Sequence, residues 1–146
     1  MTKSASNTSD SAQSPASAQD TKTFNNDCLV YLSSPYSHKL PSVMEQRYKS
    51  ALAACASMYA QGWMVFSPVV HNHPIAINHE LPKGWEFWKQ IDLRMLRSCD
   101  AFGMLLIEGY VESKGMQAER EYAELLNKKI IRVIPEGIGQ FYIQVL

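Results

Sequence analysis

Apolar residues are missing from one end of the chain and recur in short blocks along the rest. Residues 1–23 contain no Leu, Ile, Val or aromatic side chain and consist mainly of Ser, Thr, Ala, Gln and Asn. Such a segment cannot bury enough surface to offset the entropy of ordering it. Residues 1–24 are therefore expected to be a disordered tail and residues 25–146 one folded domain. Leu29-Val30-Tyr31-Leu32 is a β-prone apolar run stopped by Ser33-Ser34-Pro35, as a buried parallel strand stops at its C-terminal loop. Ser42-x-x-Glu45 then has capping-box spacing ahead of an Ala-rich stretch that ends at Gly62. A helix is expected there, followed by a second strand at Trp63-Met64-Val65-Phe66.

Residues 68–84 hold three prolines together with His71, His73 and His79, and show no clean period. The stretch reads as a long loop of the kind that forms lids or binding loops. Residues 85–99 read as a helix with Trp88, Ile91, Met95 and Cys99 on one face and Trp85, Asp92 and Arg94 partly off it. Residues 101–107 are apolar throughout and read as a third strand, 108–115 as a loop, 116–127 as a helix and 129–134 as a fourth strand. Residues 141–146 are a candidate fifth. This alternation predicts right-handed crossovers and an α/β doubly wound domain, with a parallel sheet of four to five strands and helices on both faces. Ligands of such sheets bind beyond the C-terminal strand ends, which directs attention to residues 31–37, 67–73 and 108–119.

Charge and cysteine usage narrow the partners. Lys+Arg and Asp+Glu number 14 each, so no net positive field is available to hold a phosphate backbone by counterion release, and duplex nucleic acid is not expected. Cys28, Cys55 and Cys99 are odd in number, far apart and never in a CxxC pair. Neither a disulfide framework nor a thiolate zinc site is indicated, and a reducing cytoplasm is the expected compartment. No stretch approaches the roughly 20 apolar residues needed to span a bilayer. The N-terminus also lacks the apolar core of a signal peptide.

Two carboxylates stand out as candidate chemistry. Glu119 is expected in the first turn of its helix, where free N–H groups and the macrodipole would hold its pKa low. Ionised at a strand's C-terminal edge, it suits a glycosidic reaction as nucleophile or electrostatic partner; the plainer reading is an acidic residue favouring a helix start. Asp92 lies inside a helix among large apolar neighbours, where burial would raise its pKa and suit it to donate or share a proton. Its plainer reading is a surface acid paired with Lys89 or Arg94. Asp100 reads as a turn residue.

Three sets of residues carry a family resemblance: Tyr31-Leu32-Ser33-Ser34-Pro35-Tyr36; Asp92-Leu93 with Leu96 and Asp100; and Ser113-x-Gly115-x-x-x-Glu119-x-x-x-Ala123 followed by Lys129-Ile130-Ile131. In order and spacing the chain resembles the nucleoside 2-deoxyribosyltransferase superfamily and its relatives, the nucleoside 5′-monophosphate N-glycosidases. The likeness extends to a branch carrying YLSSPYS, FSP-x-x-H-x-H-P and S-x-G-x-x-x-E signatures, and runs from Cys28 to about Pro135. It implies a flavodoxin-like (Rossmann-like) domain in which Glu119 attacks C1′ of the sugar, Asp92 assists departure of the base and Tyr31 positions the nucleophile. It implies no cofactor, a small nucleoside or nucleotide as partner, and a homo-oligomer. Ser113 stands where the deoxyribosyltransferases tend to place an acid, as in the monophosphate hydrolases. Those hydrolases hold phosphate with a glycine, serine and arginine cluster, whereas Ser34-Pro35-Tyr36-Ser37 here has no arginine, so transfer and hydrolysis both stay open.

The remaining candidates are pocket-forming. Ser33, Ser34, Pro35 and Tyr36 follow the first strand, and Ser113 with Gly115 would cradle sugar or phosphate. His71 and His73 are expected as pocket wall at the second strand's end, with backbone-bonded loop imidazoles as the alternative; H-x-H without a convergent carboxylate or cysteine is a weak metal pattern, and no metal is expected. Trp88 and Trp85 would stack on a nucleobase or pack in the core. Tyr36 and Arg47 lie within reach. The expected activity is cleavage or transfer at an N-glycosidic bond; a nucleotide-binding sensor on the same sheet is the rival outside enzymology.

Overall fold

A computed structural model describes residues 27–146. The expected tail lies outside the described residues. Five strands form one sheet in the order β2-β1-β3-β4-β5: β1 (Leu29–Ser33), β2 (Met64–Phe66), β3 (Ala101–Leu105), β4 (Lys129–Gly137) and β5 (Gln140–Val145). The first four run parallel, with Tyr31 in register with both Phe66 and Phe102. β5 pairs antiparallel with β4, which corrects the all-parallel expectation. Only Ile138 and Gly139 separate the two strands, Gly139 at φ +68°. Two residues can return a strand only antiparallel, because a parallel return needs a crossover of about a dozen or more.

Alternation along the strands sorts the core into two layers. Val30, Leu32, Ala101, Leu105, Ile131 and Val133 pack with Ala51, Ala54, Cys55 and Met58 of α1 (Pro41–Ala60). Tyr31, Phe102 and Met104 pack instead with Leu96 and Cys99 at the end of α3 (Trp85–Ser98) and with Met116 and Ala123 of α4 (Lys114–Leu125). Successive side chains of a strand point to opposite faces, so helices cover the sheet on both sides.

Helix ends follow local chemistry, with two departures from expectation. α1 has Pro41 in its first turn but no side-chain cap, since the residue preceding it is Leu40. The expected Ser42–Glu45 capping box does not form, and Glu45 reaches His73 instead. The helix does stop at Gly62, at φ +90°, a conformation that glycine adopts without steric cost.

Residues 68–78, expected as a loop, form α2 (Pro68–Asn78). Ser67 accepts from the Val70 amide at 3.2 Å and Pro68 fills the first turn, where its missing N–H costs nothing. Pro74 lies inside this helix. Its presence hid a helical period, because Pro68, Val69, His73 and Ala76 are the buried positions.

Candidate functional site

A cavity of about 820 Å³ opens beyond the C-terminal ends of the central strands. Its lining comes from the β1–α1 loop, α2, α3, the β3–α4 loop and the start of α4. Ser34, Tyr36, His73, Trp88, Asp92, Ser113, Gly115 and Glu119 are all brought to it. Ser33 and Tyr31 lie beneath it, fully buried, and Pro35 is buried beside them. His71 does not join them: it is exposed, and its Nδ1 faces Asn72 Oδ1 at 2.8 Å. In a helix, residues 71 and 73 point about 200° apart, so one of the two had to leave the pocket.

Glu119 differs from its expected state. Ser113 caps α4 by accepting from the Met116 amide at 3.3 Å, so the helix begins at Lys114, two residues earlier than expected. Glu119 therefore falls in the second turn, beyond the free N–H groups. It is 5% exposed, and burial pushes its carboxyl up to about 8. The Tyr31 and Ser33 hydroxyls pull the other way and the Asp92 charge adds to the rise. Neither hydroxyl completes a hydrogen bond of good geometry. Tyr31 Oη, Ser33 Oγ, Ser34 Oγ and Glu119 Oε2 are all buried without a partner.

Orphaned polar atoms on Tyr31, Ser33, Ser34 and Glu119 are costly to a fold, each by about 1–3 kcal/mol, and signal a place where a ligand completes the bonding. The Tyr31 ring is held by Phe66 and Phe102, each at 6.2 Å between centroids. Its phenol stays protonated, pushed well up by burial and then by the Glu119 and Asp92 charges.

Asp92 behaves as expected in direction. Burial raises its carboxyl to about 6, opposed by Asn72, whose Nδ2 donates to Oδ1 at 3.2 Å. Pairing with Lys89 or Arg94 is not seen, since Lys89 bonds Glu86 at 2.6 Å and Arg94 bonds Ser98. The inward stripe of α3 is rotated from expectation. Ile91 and Met95 are 49% and 37% exposed, while Asp92 and Leu96 turn inward. Hydrophobicity favoured the wrong face because the inward one carries an acid.

Trp88 spends its indole N–H on the Pro82 carbonyl at 2.7 Å, leaving ring surface for the cavity. Gly115 lies close to Trp85: a Cβ there would sit a tight 3.3 Å from the indole ring and 3.9 Å from Glu119 Oε1. Asp100 is a structural acid that accepts from the Leu29 amide at 2.8 Å. Sequence reasoning missed Asn72 and Glu45. A helical reading of residues 68–78 would have placed Asn72 beside His73, whereas nothing local marks Glu45.

Residues 28–134 match the family model described as a domain of unknown function, DUF1937. The chain belongs to this family. No curated protein matches the sequence. Within the matched region lie the loops that line the cavity and both Asp92 and Glu119.

Proposed function

We propose that this DUF1937 protein cleaves or transfers the N-glycosidic bond of a nucleoside or nucleotide, as its likeness to the nucleoside 2-deoxyribosyltransferases implies. The observation that carries the reading is the buried Glu119 carboxyl at the cavity floor, its Oε2 unbonded as are the hydroxyls of Tyr31, Ser33 and Ser34. The strand order β2-β1-β3-β4-β5 supports it, being that of flavodoxin-like, doubly wound sheets up to their last strand.

Near neutrality Glu119 holds its proton and Asp92 is ionised, since their carboxyls sit at about 8 and about 6. This reverses the roles expected from helix position, yet the proton count suits the reaction. Glu119 gives its proton to Asp92 as the substrate's base begins to leave. Asp92 passes that proton to the departing base nitrogen. The bond from C1′ to the base breaks with its electron pair on the base, and the Glu119 carboxylate bonds C1′. Water or a second base then displaces Glu119. When water attacks, its oxygen bonds C1′ and one proton returns to Glu119. Developing positive charge on the sugar favours the ionised carboxylate beside it, and the Tyr31 hydroxyl, unbonded near Glu119, is available to donate to that carboxylate once it ionises.

Arg47 favours hydrolysis of a 5′-monophosphate over transfer. Its Nη1 donates to the Ser37 carbonyl at 2.9 Å, which brings from α1 the guanidinium that the Ser34–Ser37 stretch lacks. Gly109, at φ +98°, makes room for it: a Cβ there would lie 2.3 Å from Nη2.

Chromatography of nucleosides and 5′-monophosphates incubated with the protein, with and without a second free base, tests the proposal. Released base from monophosphates supports hydrolysis, and exchanged base supports transfer. Glu119→Ala should cost at least about 10³-fold in kcat. Full activity in that variant would end the mechanism.

A further inference from the structure

His73 of α2 is 4% exposed, yet both of its ring nitrogens are engaged. Nδ1 lies 2.6 Å from the Tyr36 hydroxyl and Nε2 lies 2.8 Å from Glu45 Oε2, while the ring stacks on Tyr48 at 4.3 Å. Tyr36 and His73 line the cavity, and Glu45 stands behind them with its side chain 47% exposed. The result is a hydroxyl–imidazole–carboxylate chain running from the cavity toward solvent, on residues that the proposed glycosidic chemistry does not use.

We propose that Tyr36 is a substrate-contacting hydroxyl of this cavity, and that His73, backed by Glu45, sets whether that hydroxyl gives or takes the hydrogen bond. The proposal rests on the reading that a nucleoside or nucleotide occupies the cavity; it does not need that ligand to be turned over. An ionised carboxylate only accepts, so Nε2 carries a proton in either state of the ring. A neutral His73 then has a bare Nδ1, which accepts the Tyr36 O–H and leaves phenolic lone pairs for the cavity. A protonated His73 donates from Nδ1 to the phenolic oxygen and frees the O–H for the cavity. The stack on Tyr48 and the two hydrogen bonds keep the ring from exchanging its nitrogens.

Tyr36 itself stays protonated, because burial and then the Glu45 charge push its phenol up to about 12. The groups packed on the imidazole are Tyr36 from the β1–α1 loop and Glu45 and Tyr48 from α1. Arg47, on the same helix, is turned to the carbonyls of Tyr36 and Ser37. His71, on α2, faces Asn72 and Phe66.

The protonated state matches an acceptor on the ligand, such as a nucleobase ring nitrogen or carbonyl; the neutral state matches an exocyclic amine or sugar hydroxyl. Against a basic ring nitrogen the same chain delivers one proton. Tyr36 gives its O–H proton to the nitrogen, Nδ1–H replaces it on the phenolic oxygen, and His73 is left neutral with Nε2–H on Glu45.

Nitrogen-15 spectra of the His73 ring, followed from pH 5 to 9, test the proposal in the full chain. The probes are the four 2′-deoxynucleosides and their 5′-monophosphates, with wild type, Tyr36→Phe and Glu45→Gln compared. In the free protein, Glu45→Gln should change the nitrogen-15 shift of His73 Nε2, since the carboxylate that accepts from it is replaced by an amide. A bound probe should move the wild-type midpoint, and this ligand-linked movement should vanish in Tyr36→Phe while its melting temperature is kept. Affinity of Tyr36→Phe should fall about 5- to 10-fold, the loss of one hydrogen bond.

A probe that binds without moving the His73 midpoint, or binds Tyr36→Phe within twofold at every pH, overturns the proposal and leaves the glycosidic reading standing. Coupled binding without turnover supports the proposal and removes the glycosidic reading. Failure of every probe to bind removes both.

Discussion

Glu119 sits where an ordinary glutamate would cost most, buried at the floor of a cavity, with Tyr31 and Ser33 near it but not properly bonded to it. Its carboxyl titrates near 4.5 when unfolded and at about 8 when folded. Below pH 4.5 it is neutral in both states and costs no charge burial. Between the two values the unfolded chain has released the proton and the folded chain has kept it, so stability falls as pH rises. Glu119→Gln should therefore raise the melting temperature at pH 8 by roughly 5 °C or more, with the gain shrinking toward pH 4.5 in a calorimetric series. An equal gain at all pH values would show that the carboxyl is not held neutral.

The same two carboxyls fix the pH profile of the proposed reaction. Acidification through about 6 protonates Asp92, and alkalinisation through about 8 strips Glu119. A plot of kcat/KM against pH should be a bell between those limbs, which belong to the coupled pair more than to either residue alone. A profile rising steadily to pH 9 would contradict the proton transfer from Glu119.

At the scale of elements, α2 shows how one residue disguises a helix. Pro74 is its seventh residue, where it donates no backbone hydrogen bond and its ring crowds the preceding turn. The helix persists because Ser67 caps it and because Val69, His73 and Ala76 are buried against the rest of the molecule. Pro74→Ala should stabilise the protein by about 1–2 kcal/mol in urea unfolding, the interior-proline cost less the entropy regained by the unfolded chain. A destabilisation would mean that Pro74 packing outweighs the missing bond. α3 makes a related point: its inward face was misjudged because it carries Asp92, a residue that hydropathy assigns to solvent.

For the whole molecule, the outward face of α3 has a bearing on assembly. Phe87, Ile91 and Met95 recur one helical turn apart and are 45%, 49% and 37% exposed. The family likeness implies a homo-oligomer, and we propose that it would cover this apolar stripe, on the helix that also supplies Asp92 and Trp88. In sedimentation experiments the protein should run larger than its 16.5 kDa chain, and Ile91→Glu should shift it toward the monomer. A wild type that is monomeric at tens of micromolar would contradict the oligomer that the family likeness implies. Among the described residues no helix is long and apolar enough to cross a membrane.

The sequence by itself determined the order of the strands and of α1, α3 and α4, though not α2, because burial on a sheet or helix leaves a period that one chain displays without its neighbours. Convergence of strand-end loops also marked Tyr31, Ser34, Ser113, Gly115 and Glu119 as residues that would meet, and the family resemblance added Asp92 from its helix. Tertiary structure alone decided what state they meet in. The ionisation of Glu119 depends on solvent exclusion by Tyr31, Ser33 and neighbouring helices, which no local spacing encodes. The chain from Tyr36 through His73 to Glu45 joins a loop and two helices, with partners 28 and 37 residues apart. Such contacts are set by the packing of whole elements, and a periodicity read along one segment carries no record of them.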